Sequence, residues 1–174
     1  MKSFFQLNSD DYSVAHPTIG ANEKKLYFAS DMPDTYGQSD IFVVDINEDG
    51  SFGIPKNLGN QINTESRETF PFVTSDNVLY FASDGHPGLG GLDIFASKID
   101  DLTAPYIVNV GEPVKSVQDD FSFIIDVETR EGFFASSRDG GIGSDDIYSF
   151  TENKKIVLRC NPIIEGLVRE KGFW

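Results

Sequence analysis

Three carboxylates stand at one fixed spacing: Asp40, Asp93 and Asp146 lie 53 positions apart. Each ends a Gly-x-x-Asp run, Gly37 to Asp40, Gly90 to Asp93 and Gly143 to Asp146, and each is followed by Ile41-Phe42, Ile94-Phe95 or Ile147-Tyr148. Such a set could form a ring of ligands for a cation. Alternatively, each carboxylate could accept hydrogen bonds from the N–H groups of its own turn and pin it. Recurrence in every unit favours the second role, so Asp40, Asp93 and Asp146 are expected to be structural turn residues.

Other candidate chemistry is weaker. Asp45-Ile46-Asn47-Glu48-Asp49-Gly50 matches the first half of a calcium loop, but the twelfth position is Lys56 where a bidentate Glu is required. A hairpin with Asp49-Gly50 at its tip is the better reading. His16 and His86 are the only histidines and each precedes Pro, so a zinc site would need mostly carboxylate ligands. Ser83, Asp84 and His86 are near neighbours in sequence, which does not make a triad, and no Gly-x-Ser-x-Gly elbow is present. The Gly-rich stretch from Gly85 to Gly91 lacks the Lys-Ser/Thr of a phosphate loop. The residues therefore point to no catalytic group, no metal and no cofactor.

The elements that must carry these residues follow from an internal repeat. Leu26-Tyr27-Phe28-Ala29-Ser30-Asp31 returns as Leu79-Tyr80-Phe81-Ala82-Ser83-Asp84 and, loosened, as Gly132-Phe133-Phe134-Ala135-Ser136-Ser137, in the same 53-residue register as the Gly-x-x-Asp block. Short apolar runs alternate with Gly, Asp, Asn and Pro, the pattern of strands joined by turns. In the second unit strands are expected from Phe70 to Thr74, Val78 to Ser83, Leu92 to Ser97 and Tyr106 to Val110, with a long exposed loop from Asp84 to Gly91. Within the pairs Tyr27-Phe28, Tyr80-Phe81 and Phe133-Phe134, one ring should face an inter-blade core and the other the opposite face. A four-stranded unit of this length is that of a β-propeller blade. The chain is thus expected to be all-β: three four-stranded antiparallel blades over residues 16–154, preceded in 1–15 by a strand of another blade. Residues 155–174 read as a linker and the opening of a different domain. A closed propeller needs more blades than three, so the remainder must come from the parent chain, another copy or a partner.

With 28 Asp plus Glu against 14 Lys plus Arg, the net charge is −14. That balance repels nucleic-acid phosphates and anionic lipid surfaces. No apolar run is long enough for a membrane helix, and the single Cys160 permits no intramolecular disulfide. The repeat starts partway through a unit, the mark of a piece of a longer protein with room for an upstream export signal.

The quoted blocks resemble the TolB-like, WD40-like β-propeller repeat. The versions here, with His16-Pro17 opening a unit, Ser83-Asp84-Gly85-His86, and Gly88 through Phe95, look most like the propeller segment of OmpA-family outer-membrane proteins of Bacteroidetes. The resemblance covers roughly residues 12–150. It implies a platform for protein contacts in the periplasm, associated with the outer membrane and in some relatives with type IX secretion. Ile164-Glu165-Gly166-Leu167-Val168-Arg169 is similar to the first strand of the carboxypeptidase-regulatory-like β-sandwich that follows such propellers. Neither the family's helical repeats nor its OmpA-like domain is found in this chain, so peptidoglycan binding is carried onto no residue.

The function expected on these grounds is a non-catalytic protein-interaction or scaffolding module whose partners are envelope proteins. The loops at residues 31–38, 84–91 and 138–144 should form its contact surface, with Asp31, Tyr36, Asp84, His86, Leu89 and Arg138 as candidate contact residues. Two rival classes stay open: the accessory propeller of a hydrolase or peptidase, and a propeller that binds glycans or calcium.

Overall fold

In the computed structural model, which describes residues 7–99 and 105–158, the repeat forms three antiparallel sheets. The first contains β1 (Val14–Ile19), β2 (Lys25–Ser30), β3 (Asp40–Asp45) and β4 (Lys56–Asn57), paired in that order. The second repeats it with β5 (Glu68–Val73), β6 (Val78–Ser83), β7 (Asp93–Lys98) and β8 (Val108–Asn109). The third runs β9 (Asp120–Ile125), β10 (Glu131–Ser136) and β11 (Asp146–Thr151). This is the architecture of propeller blades. The third sheet has three strands within the described residues up to 158, rather than the four expected by 154, because no strand forms after Thr151 there. The β-sandwich opening expected near Ile164, Cys160, and residues 1–6 of the expected preceding strand lie outside the described residues.

The sequence boundaries shift at the inner strands. Val14 and Ala15, assigned to a preceding blade, pair with Ser30 and Ala29 inside the first sheet. β5 begins at Glu68 rather than Phe70, because Glu68 and Thr69 pair with Ser83 and Ala82 before the register slips. The slip is a β-bulge, and it recurs in β1, β5 and β9. In each bulge one residue takes a left-handed backbone: His16 at φ 53°, Phe70 at φ 49° and Ser122 at φ 53°. Such a bulge breaks the strict alternation of faces that strand recognition relies on.

The sheets stack face against face. Tyr27, Ala29 and Ile41 of the first meet Val73, Leu79, Phe81 and Phe95 of the second, with Leu58 and Ile62 from the connecting segment packed between them. On the opposite face of the second sheet, Val78, Tyr80, Ile94 and Ala96 meet Phe123, Ile125 and Phe134, with Val114 as the connecting residue. All six residues of β6 are buried. The aromatic pair of this blade therefore has no outward member: Tyr80 faces the third blade and Phe81 the first. Burial of one such ring stabilises by about 1.5–3 kcal/mol. The core lies between blades, so each blade depends on its neighbour.

Candidate functional site

Each repeated aspartate anchors the loop before it. Asp93 Oδ2 accepts hydrogen bonds from the backbone N–H of Leu89 at 2.8 Å and Gly90 at 2.9 Å. Asp40 Oδ2 accepts from Tyr36 N–H at 2.9 Å and from the side-chain amide of Asn57. Asp146 Oδ2 accepts from Ile142 N–H at 2.7 Å and Gly143 N–H at 3.1 Å. Two glycines permit these loops to pack against the next blade. A Cβ on Gly37 would lie 2.3 Å from the backbone of Glu65, and one on Gly90 would lie 2.0 Å from the carbonyl of Gln118. The loops are thus clamped at their bases, while the 84–91 loop is exposed along most of its length, at Gly85, Pro87, Gly88, Leu89 and Gly91.

What the clamp displays is the residue four positions before each aspartate. Tyr36 is 52% exposed, Leu89 is 54% exposed and Ile142 is fully exposed. All three loops join the second strand of a blade to its third, so they emerge at the same end of the stack. Each of the three blades thus holds out one apolar side chain on a pinned turn at the same end. Exposed carboxylates surround the row at that end: Asp31, Asp34, Glu65, Asp139 and Asp145. Ile142 lies in the expected 138–144 loop but is not among its candidate contact residues, although Tyr36, Leu89 and Ile142 keep the 53-residue register.

The other candidate contact residues serve the fold. Asp31 Oδ1 accepts from Ser13 N–H at 2.6 Å and Asp84 Oδ1 from Arg67 N–H at 2.7 Å, tying the start of the inner strand to the end of the second. Asp84 also pairs with the Arg67 guanidinium at 2.8 Å. The His86 ring packs on Phe81 and Phe95, and its Nε2 sits 2.8 Å from the Ile62 carbonyl. Arg138 turns inward. It donates to the carbonyls of Pro113 and Val114 and to the buried Asp120 carboxylate at 2.8 Å, and it lies over the rings of Phe134 and Tyr148.

The polar groups that could suggest chemistry are enclosed. Ser83 Oγ donates to Glu68 Oε1 at 2.6 Å, but both residues are fully buried, leaving no approach for a substrate. Burial pushes the Glu68 carboxyl above its usual value, against the opposing pull of hydrogen bonds from Ser83 and Thr64. In the 45–50 turn, Asp49 Oδ1 accepts from Ser51 N–H and Oγ–H, and these bonds hold its carboxyl below the usual range. Asp45 is paired with Lys25 at 2.8 Å. His16 stacks on Phe70 at 3.8 Å, with Nδ1 2.7 Å from the Thr69 hydroxyl. Among the described residues, no group of three or more His, Cys, Asp or Glu side chains could hold a metal ion, and no helix is long and apolar enough to cross a membrane.

The stacked meanders of three and four strands define a β-propeller class of fold, and comparison with solved structures agrees. The chain is similar to a TolB from Agrobacterium tumefaciens, with a TM-score of 0.52 and 15% identity over 71% of this chain and 38% of that one. It is similar also to TolB from Acinetobacter baumannii, with a TM-score of 0.54 and 12% identity over 81% of this chain and 30% of that one. At these identities the likeness is one of fold. The chain spans about a third of the length of these solved relatives. No protein-family model and no curated protein matches the sequence.

Proposed function

We propose that the chain is a non-catalytic protein-interaction module of a cell-envelope protein, working in the periplasm. Its contact surface is the loop face that carries Tyr36, Leu89 and Ile142. The observation that carries this reading is the placement of one exposed apolar side chain per blade on a turn whose base is fixed by a buried or half-buried aspartate. A rigid scaffold that holds out repeated apolar contacts loses little entropy when a partner docks on it. The two similar solved structures are described as TolB proteins, which supports a propeller serving as a platform. On the sequence resemblance, the parent protein is an OmpA-family outer-membrane-associated protein of Bacteroidetes, and its partners are envelope proteins such as those of type IX secretion.

The test is a parallel capture from detergent-solubilised envelope with the tagged chain and with Tyr36→Ser, Leu89→Ser, Ile142→Ser combined. These side chains are exposed, so the variant keeps its fold, checked by far-UV circular dichroism. Partners that the parent chain retains and the triple variant releases support the reading. Identical captures by the two chains would remove the loop face from it.

A further inference from the structure

The sequence holds three Asp-Gly steps, Asp49-Gly50, Asp84-Gly85 and Asp139-Gly140, all among the described residues. An aspartate followed by glycine can react with its own backbone, because a residue without a Cβ lets its nitrogen approach the preceding carboxyl. The glycine nitrogen attacks Cγ of the aspartate, and the new C–N bond closes a five-membered succinimide ring. The displaced carboxyl oxygen leaves as water, taking the amide proton and the carboxyl proton. Water then adds to either ring carbonyl. Opening at Cγ restores aspartate, whereas opening at the main-chain carbonyl breaks the original peptide C–N bond and leaves isoaspartate, with the chain running through Cβ. One water is lost and one regained, and nothing is oxidised or reduced.

The neighbour is glycine at all three steps, so what separates them is how firmly the nitrogen and the carboxyl are held. At Asp84 both are engaged. Gly85 N–H donates to Ser83 Oγ at 3.0 Å, and the Asp84 carboxylate accepts from the backbone N–H and the guanidinium of Arg67 at 2.7 and 2.8 Å. A Cβ on Gly85 would meet the Thr64 side chain. Asp49 is held in the same way. Gly50 N–H donates to the Asn47 carbonyl at 2.9 Å, and Asp49 Oδ1 accepts from Ser51 N–H and Oγ–H. Those Ser51 bonds favour the ionised carboxylate, which is the poorer electrophile.

At Asp139 little stands in the way. Gly140 N–H makes no hydrogen bond among the described residues, and the carboxyl accepts one, from the Gln118 side-chain amide at 3.2 Å. Both residues are exposed, and beyond its chain neighbours no atom lies within 4 Å of where a Cβ on Gly140 would stand. The exposure is a property of the loop in every blade, since Asp34 and Pro87, in register with Gly140, are exposed as well.

We propose that Asp139-Gly140 is a site of spontaneous backbone isomerisation, giving isoaspartate at 139 while the fold protects Asp49 and Asp84. The added backbone methylene enters between Arg138, tied to the carbonyls of Pro113 and Val114, and Ile142, whose N–H is tied to Asp146. It therefore lengthens a stretch of loop that is held at both ends.

The test is timed peptide mapping of the folded chain in mildly acidic buffer, with a parallel sample in concentrated urea. Isoaspartate has the mass of aspartate, so it is read from its shifted retention and its electron-transfer fragments. In the folded chain it should accumulate at Asp139 at least about tenfold faster than at Asp84 or Asp49, where two or three hydrogen bonds must open first. In urea the three sites should react at similar rates, because their neighbour is the same. Equal rates in the folded chain, or a lead at Asp84 or Asp49, would overturn the proposal. So would an Asp139 lead that persists in urea, since local sequence and not the fold would then set the order.

Discussion

The second and third blades are nearly the same in sequence pattern and very different in circumstance. Ile94 and Ile147 follow the same aspartate in the same strand, yet one is sealed and the other is open to solvent. The difference lies outside the blade. A propeller blade sets out its apolar side chains on both faces, and whether they form a core is decided by what stands beside it. Stability in this molecule is therefore a property of blade pairs.

The comparison can be broken most sharply at those two isoleucines. Ile94→Asp places a carboxylate in a buried apolar interface and should abolish the cooperative unfolding transition, a loss above about 4 kcal/mol. Ile147→Asp should leave the urea midpoint of the monomer within roughly 0.5 kcal/mol of the parent. Equal losses at both positions would show that the third blade is covered after all.

A second contrast concerns the buried acids that open β5 and β9. Asp120 is met by the Arg138 guanidinium, whereas Glu68 has only hydroxyl and backbone N–H donors. Arg138→Met should cost about 3 kcal/mol in chemical denaturation, because Asp120 would remain buried without its counter-charge. The exposed Lys25–Asp45 pair should by comparison be nearly silent when Lys25 is changed to Met.

Next in size is the glycine pair. Gly90→Ala must push against the Gln118 carbonyl and should destabilise by about 1–3 kcal/mol, while Gly143→Ala should be close to neutral. Differential scanning fluorimetry of the two variants separates them.

The smallest effect is a pH slope. The Glu68 carboxyl is raised in the folded state, so the native chain holds that proton to higher pH than the unfolded chain does. Its contribution to stability is fully present below the unfolded carboxyl value and is lost as pH rises through the folded value. Glu68→Gln should flatten the dependence of the urea midpoint between mildly acidic and neutral pH. An unchanged slope would assign it to other carboxylates.

Much of this was legible in the sequence because the repeat keeps strict register through β2, β3 and the loop between them. The Phe28, Phe81, Phe134 series and the aspartate series both rest on that register. The inner strands were read less well, since the left-handed residues His16, Phe70 and Ser122 interrupt the alternation that marks a strand. Within a loop, chemical type alone does not tell a displayed side chain from a tether. Arg138 and His86 have the look of recognition residues but make their bonds inward, whereas Ile142 has an unremarkable side chain and points out. Its position in the 53-residue series was the signal available.

Asn63 lies in the segment that leads into the second blade, yet its side chain donates to and accepts from the backbone of Ile41 in the first, at 3.1 and 2.8 Å. Ile62 likewise fills the seam between the two. The stretch of chain inherited with one blade thus finishes the blade before it. Duplication or shuffling of whole repeats can then lengthen the array without an adaptor, because every copied unit arrives already carrying the piece its predecessor needs.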